Sequence, residues 1–116
     1  MVKMMQGEFF PNDRIGNHCD YNSVDAPLWF FRALQQYISF TGDFETIWKK
    51  YEKPMKKILN GYSNGTAYSN HMLDNGLLWA GNDKDALTWM NTVVDGKPVI
   101  NRNGLAVEVN ALWYNA

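Results

Sequence analysis

The stretch "LWFFRALQQYISF", Leu28 to Phe40, constrains the fold more than any other part of the chain. Ser23 and Asp25 just before it are good helix N-cap types, and Pro27 suits a first helical turn, where its missing N–H costs nothing. The spacing predicts a helix from about residue 24 to 41. Leu28, Trp29, Phe30, Phe31, Ala33, Leu34, Tyr37, Ile38 and Phe40 leave it apolar nearly all the way round, which is the mark of a helix buried on most sides. A 116-residue chain folding by itself buries roughly two thirds of its unfolded surface. This helix asks for more neighbours than that supplies. The chain is therefore expected to self-associate or to be poorly stable alone.

Thr41-Gly42-Asp43 ends the pattern, with Gly42 as the C′ residue and Asp43 as the next N-cap. Phe44, Ile47, Trp48, Tyr51, Met55, Ile58 and Leu59 then form one stripe of an amphipathic helix. Lys49, Lys50, Glu52, Lys53, Lys56 and Lys57 take the other side, and the lysines are most simply a solvated face rather than a phosphate site. Pro54 lies inside this helix and is expected to kink it or to remove a hydrogen bond there. Asn60 to Asn70, "NGYSNGTAYSN", reads as loop, as do residues 1–22. The region from His71 to Asn103 is expected to be irregular, with turns at Asp74-Asn75-Gly76, Gly81-Asn82-Asp83 and Asp95-Gly96. So long an irregular stretch in a compact domain points to functional loops or to missed elements. "LAVEVNALWYNA" begins a third helix at the end of the chain. The expected fold class is all-α: two long helices, the start of a third and long site-forming loops. Residues 1–116 read as one partial domain, a piece of a larger helical protein.

The net charge of −1, with both signs interspersed, argues against a nucleic-acid backbone or an anionic membrane as partner. No apolar run reaches the roughly 20 residues of a membrane span. The N-terminal "MVKMMQGEFF" is too short and interrupted for a signal peptide. A single cysteine, Cys19, excludes an internal disulfide and fits a reducing, cytoplasmic setting. His18, Cys19 and Asp20 are adjacent but lack the spacing of a metal site. A Cys19–His71 nucleophilic pair has no supporting signature. No glycine-rich phosphate loop is present.

Aromatic residues make up 15% of the chain. Most are core material, yet flat rings also stack on sugar faces while neighbouring polar groups bind the hydroxyls. The stretch "DALTWMNTVVDGKPV", Asp85 to Val99, matters here: it sets Trp89 beside Asn91 in what reads as a loop, and loops carry function more often than cores do. Carboxylates and amides stand beside aromatics repeatedly, at Tyr21-Asn22-Ser23-Val24-Asp25, Leu78-Trp79, Val107-Glu108-Val109-Asn110 and Trp113-Tyr114-Asn115. Asp25 could equally cap a helix, and Glu108 could simply complement a helix N-terminus.

"YNSVDAPLWFFRALQQY", "DNGLLWAGNDKDALTWMN" and "GLAVEVNALWYNA" resemble, in this order, the C-terminal glucosidase domain of glycogen debranching enzymes, the amylo-α-1,6-glucosidases. The resemblance covers about Phe10 to Ala116. It implies a segment of an (α/α)6 toroid, with the active site where the long loops gather. It also implies inverting hydrolysis of the α-1,6-linked glucose of a glycogen limit dextrin, with no cofactor and no metal. The remainder of the parent domain would be this chain's partner. Inversion needs an acid and a base, with carboxyls roughly 6.5–9.5 Å apart.

The resemblance puts the general acid directly after Thr-Trp-Met, and this chain has Asn91 there. An amide gives up no proton at a useful pKa. The family's Thr-Pro-Arg is matched here only by Arg102. Asp95, Asp85 or Glu108 could have taken over the acid role. Alternatively Asn91 serves binding, or the acid position is Glu108 or Asp25. Trp79 and Trp89 are expected as sugar platforms and Trp29 as a further substrate-binding residue, with Asp25, Arg102, Glu108 and Asn110 binding hydroxyls or ordering the site. The alternative reading is a non-catalytic carbohydrate-binding relative that has lost its acid.

Overall fold

The structure, a computed structural model, describes residues 2–12, 14–15 and 18–116. Its frame is three helices: α1 (Ala26–Thr41), α2 (Phe44–Asn64) and α3 (Val107–Asn115). A short 3₁₀ turn spans Val2–Met4. Among the described residues, six two-residue strands pair as three antiparallel ribbons: β1 (Arg14–Ile15) with β2 (His18–Cys19), β3 (His71–Met72) with β4 (Leu78–Trp79), and β5 (Val93–Val94) with β6 (Lys97–Pro98). The described residues are thus mixed rather than purely helical, which corrects the all-α expectation. Two-residue strands are too short to leave an alternating pattern in a sequence.

The joint between α1 and α2 forms as its residues dictate. Gly42 takes a left-handed φ of 70°, and its N–H bonds the Ile38 carbonyl. Asp43 accepts from the Thr46 N–H at 3.1 Å and caps α2. The two helices close on Phe30, Phe31, Leu34, Ile47 and Ile58, with Phe30 edge-on to Tyr51 at 5.5 Å. The lysines of α2 are all exposed.

α2 runs past the expected loop start at Asn60, to Asn64. Two packing contacts explain this. A Cβ on Gly61 would lie 1.9 Å from Glu8 Cγ, so glycine sits there to let the N-terminal segment approach the helix. One residue on, Tyr62 is fully buried, and its hydroxyl donates to the Val24 carbonyl at 2.8 Å. Tertiary burial overrides the loop-like composition.

A second buried cluster joins Phe9, Val24, Leu28, Tyr62, Leu87 and Val109 beneath the loops. α1 is only partly covered, however. Trp29 is 56% exposed and Phe40 87%, so the helix that reads as apolar all round has open faces. Among the described residues, no helix is long and apolar enough to cross a membrane.

Candidate functional site

The loop carrying Trp89 is held by side-chain amides before it enters the core. Asn70 Oδ1 accepts from the Gly81 N–H at 2.7 Å. Asn82 Oδ1 then accepts from the Lys84 and Asp85 N–H groups at 2.8 and 3.1 Å, a turn in which the side chain mimics backbone. Ala86 and Leu87 are buried next, and the Leu87 carbonyl accepts from the Val24 N–H at 2.7 Å. Thr88 is buried too. Trp89 then emerges, 65% exposed. The irregular look of this stretch follows from its path, which dives into the core, pairs with the start of α1 and returns to the surface.

Two neighbouring cavities lie where this loop meets the starts of α1 and α3. One, of about 350 Å³, is bordered by Asn12, Ser23, Asp25, Trp29, Thr88, Trp89 and Asn91. The other, of about 390 Å³, is bordered by Asp25, Trp29, Trp89, Glu108, Ala111 and Leu112. Asp25, Trp29 and Trp89 border both. Each volume falls within the ~300–1,000 Å³ of small-molecule sites.

Five residues singled out from the sequence are thereby gathered: Asp25, Trp29, Trp89, Asn91 and Glu108. Asp25 is 6% exposed, and its Oδ1 accepts from the Ser23 hydroxyl at 2.5 Å. Glu108, in the first turn of α3, lies 2.5 Å from an Arg102 guanidinium nitrogen through Oε1. Arg102 borders neither cavity and reaches the site only through that carboxylate. Behind Asp25, burial pushes the Tyr62 phenol well above its ordinary range, and the charges of Asp25 and Glu8 push it further the same way. It stays a neutral donor.

The remaining expected residues stand outside both cavities. Asp95 forms the tip of the β5–β6 ribbon with φ 51°, where the Asp95-Gly96 turn requires positive φ at both residues. Asp85 takes a hydrogen bond from Asn82 Nδ2 at 2.9 Å beside that turn. The Trp79 indole N–H donates to the Gly81 carbonyl at 3.0 Å. Asn110 acts as a missing strand: its Oδ1 accepts from the Leu78 N–H at 2.8 Å, and its Nδ2 donates to the Leu78 and Ala106 carbonyls, each at 3.1 Å. Both amide hydrogens are used, so Asn110 fastens β4 to α3, which matches the ordering half of its expected role.

Ser23, Asn12 and Thr88 border the first cavity without having been singled out as ligands. Ser23 reads as a helix cap, Asn12 as a loop residue and Thr88 as part of the Trp89 stretch. Nothing in a linear sequence separates such roles. Among the described residues, no three histidine, cysteine or acidic side chains gather as a metal site. The side chain of His18 lies outside the described residues.

Aromatic rings thus border the adjoining cavities together with carboxyl, hydroxyl and amide groups. The family model of amylo-alpha-1,6-glucosidase matches residues 2–116. The chain belongs to that family, one of glycogen-debranching glycoside hydrolases. No curated protein and no solved structure matches it.

Proposed function

We propose that this chain is part of a glycoside hydrolase that removes α-1,6-linked glucose from glycogen limit dextrin by an inverting acid/base mechanism, and that it forms one wall of the sugar site. The carrying observation is the convergence of Asp25, Trp29, Trp89, Asn91 and Glu108 on adjoining cavities from three separate segments. In this reading Trp89 and Trp29 stack on pyranose faces. Asp25 accepts hydrogen bonds from sugar hydroxyls, and Glu108, tied to Arg102, orders the second cavity. The uncovered faces of α1 fit a helix of a larger (α/α)6 toroid.

Asn91 limits the chemistry. A general acid protonates the leaving glycosidic oxygen, and loss of such a group typically costs on the order of 10²–10⁴ in rate. The Asn91 amide can donate a hydrogen bond to that oxygen but cannot transfer the proton. In this reading the chain by itself is inactive, because it forms only one wall of the site and Asn91 supplies no proton. The same amide favours a second reading, a carbohydrate-binding relative that holds a branched α-glucan without cleaving it.

Branched limit dextrin separates the two readings, with glucose release and equilibrium binding measured in parallel on the protein in its longest natural form. Release of glucose supports the hydrolase. Binding without release supports the second reading, and absence of both sinks both.

A further inference from the structure

The start of α1 departs from ordinary capping. Asp25 occupies the N-cap position, yet its carboxylate makes no capping bond and its backbone is already helical, with φ −85° and ψ −30°. A capping residue normally has extended backbone and accepts from the second or third helical N–H. Here the second helical residue is Pro27, which has no N–H. The cap is supplied two residues upstream: the Ser23 hydroxyl oxygen accepts from the Ala26 N–H at 3.1 Å.

Ser23 also donates to Asp25 Oδ1, at 2.5 Å. A hydroxyl has one proton, and here its oxygen already receives the Ala26 N–H. Its proton is thus directed at the carboxylate. The short distance is that of a charge-assisted O–H···O⁻ bond. The segment between the two residues is fixed on both sides as well. Val24 N–H donates to the Leu87 carbonyl of the Trp89 loop, and the Val24 carbonyl accepts from Tyr62 of α2. Ser23 and Asp25 are both buried, and both border the first cavity.

We infer that Ser23 is a positioning residue: it takes over the cap of α1 and anchors one oxygen of Asp25, so that the carboxylate serves the cavity rather than the helix. Without the Ser23 hydroxyl, the α1 N-terminus and the Asp25 carboxylate are each other's nearest unmet partners. The carboxylate then turns toward the Leu28 N–H and away from the ligand. This inference rests on the reading that the cavities bind sugar.

A double-mutant cycle tests it, with maltotriose as the probe and tryptophan fluorescence as the readout, since Trp29 and Trp89 border both cavities. All variants are compared well below their melting temperatures. Asp25→Ala is expected to weaken binding by about tenfold or more, and Ser23→Ala by roughly three- to tenfold, the loss of one charge-assisted contact and of its alignment. Because Ser23 acts through Asp25, Ser23→Ala in the Asp25→Ala background adds nothing. Ser23→Thr, which keeps a hydroxyl, restores most of the affinity. Ser23→Gly removes the hydroxyl at a residue type tolerated at helix caps, so it gives the same answer should the alanine variant fold poorly.

A Ser23→Ala variant with a lower Tm and unchanged maltotriose affinity overturns the inference, since a plain structural cap behaves that way. An equal loss in both backgrounds overturns it too. No fluorescence response in the unmutated chain sinks the sugar-site reading itself, and the inference falls with it.

Discussion

The two buried clusters use the same kinds of residue and end differently. The cluster beneath the loops draws Phe9, Val24, Leu28, Tyr62, Leu87 and Val109 from segments far apart in sequence, and it terminates in polar groups with named partners: the Tyr62 hydroxyl, Ser23 and Asp25. The cluster between α1 and α2 draws mostly on two consecutive helices. It opens into an apolar groove of about 350 Å³ beside Phe44, Trp48 and Leu59, with Lys56 and Gln35 at its margin. The side under the loops ends in hydrogen-bonded polar groups such as the Tyr62 hydroxyl and Ser23, and the other stops at bare rings. Sequence-distant contacts are harder to assemble, because loop-closure entropy opposes them.

The sharpest way to test that contrast is to restore the chemistry on the side under the loops. Asn91→Asp, introduced into the protein in its longest natural form, is expected to raise glucose release from limit dextrin by about 10²–10⁴, the typical worth of a general acid. Sugar affinity should change far less. A variant that releases no more glucose than the parent would show that position 91 is not where the proton is given.

Next in size is a matched pair of truncations. Leu28 is fully buried under the cavities, and Leu28→Ala should cost about 2–5 kcal/mol, the range for a core position that cannot collapse. Ile47 borders the open groove, where a shortened side chain leaves no sealed void, so Ile47→Ala should cost roughly half as much or less. Urea titration of both variants gives the comparison, and equal losses would erase the distinction between the two clusters.

The same contrast explains what could be read from the sequence. Local signals were legible: the Ser23/Asp25 region with Pro27 starting α1, the Gly42-Asp43 joint, the stripe of α2, the Asp95-Gly96 turn and α3. Each depends on residues a few positions apart. The extension of α2 through Gly61 was not legible, because it depends on Glu8, more than fifty residues away in sequence. Nor could the sequence tell which rings of "LWFF" face outward. Trp29 borders the cavities and Phe30 lies in the core, although they are neighbours in one apolar run. For the site, residue types were informative and partnerships were not. Asn110 and Asn91 are the same residue in similar settings, yet one is consumed by β4 while the other borders the cavity. Trp79 and Trp89 read alike in the sequence, but Trp79 lies in β4 with its N–H bonded to the Gly81 carbonyl, while Trp89 borders both cavities.

Tyr62 gives a third, smaller effect with a definite sign. The fold favours its neutral form, so its folded pKa lies above the unfolded value of about 10. Above that pH the unfolded chain loses the phenolic proton before the folded one does. The unfolded state then binds fewer protons, and stability falls as pH rises. Tyr62→Phe should cost about 1 kcal/mol at neutral pH through the unpaired Val24 carbonyl. It should also flatten the alkaline decline relative to the parent. Denaturant midpoints between pH 7 and 11 would show this as converging curves, and parallel curves would mean that Tyr62 is not the group responsible.

The smallest effect on stability belongs to the open side, where the consequence is association. Phe44 and Trp48 stack at 6.0 Å with their rings 11° apart, both exposed, and Phe40 is the most exposed phenylalanine of α1. Contiguous apolar surface of this kind is covered in stable proteins by another chain or another part of the same one. The isolated chain should therefore self-associate, its weight-average mass rising with concentration in sedimentation equilibrium. Phe40→Ser with Phe44→Ser should suppress that rise while changing monomer stability by less than about 1 kcal/mol, as expected for exposed positions. The sugar response at the cavities should survive, since neither residue borders them. A monodisperse parent at high concentration would mean that the groove needs no cover, and loss of the sugar response in the double variant would mean that the two sides are not independent.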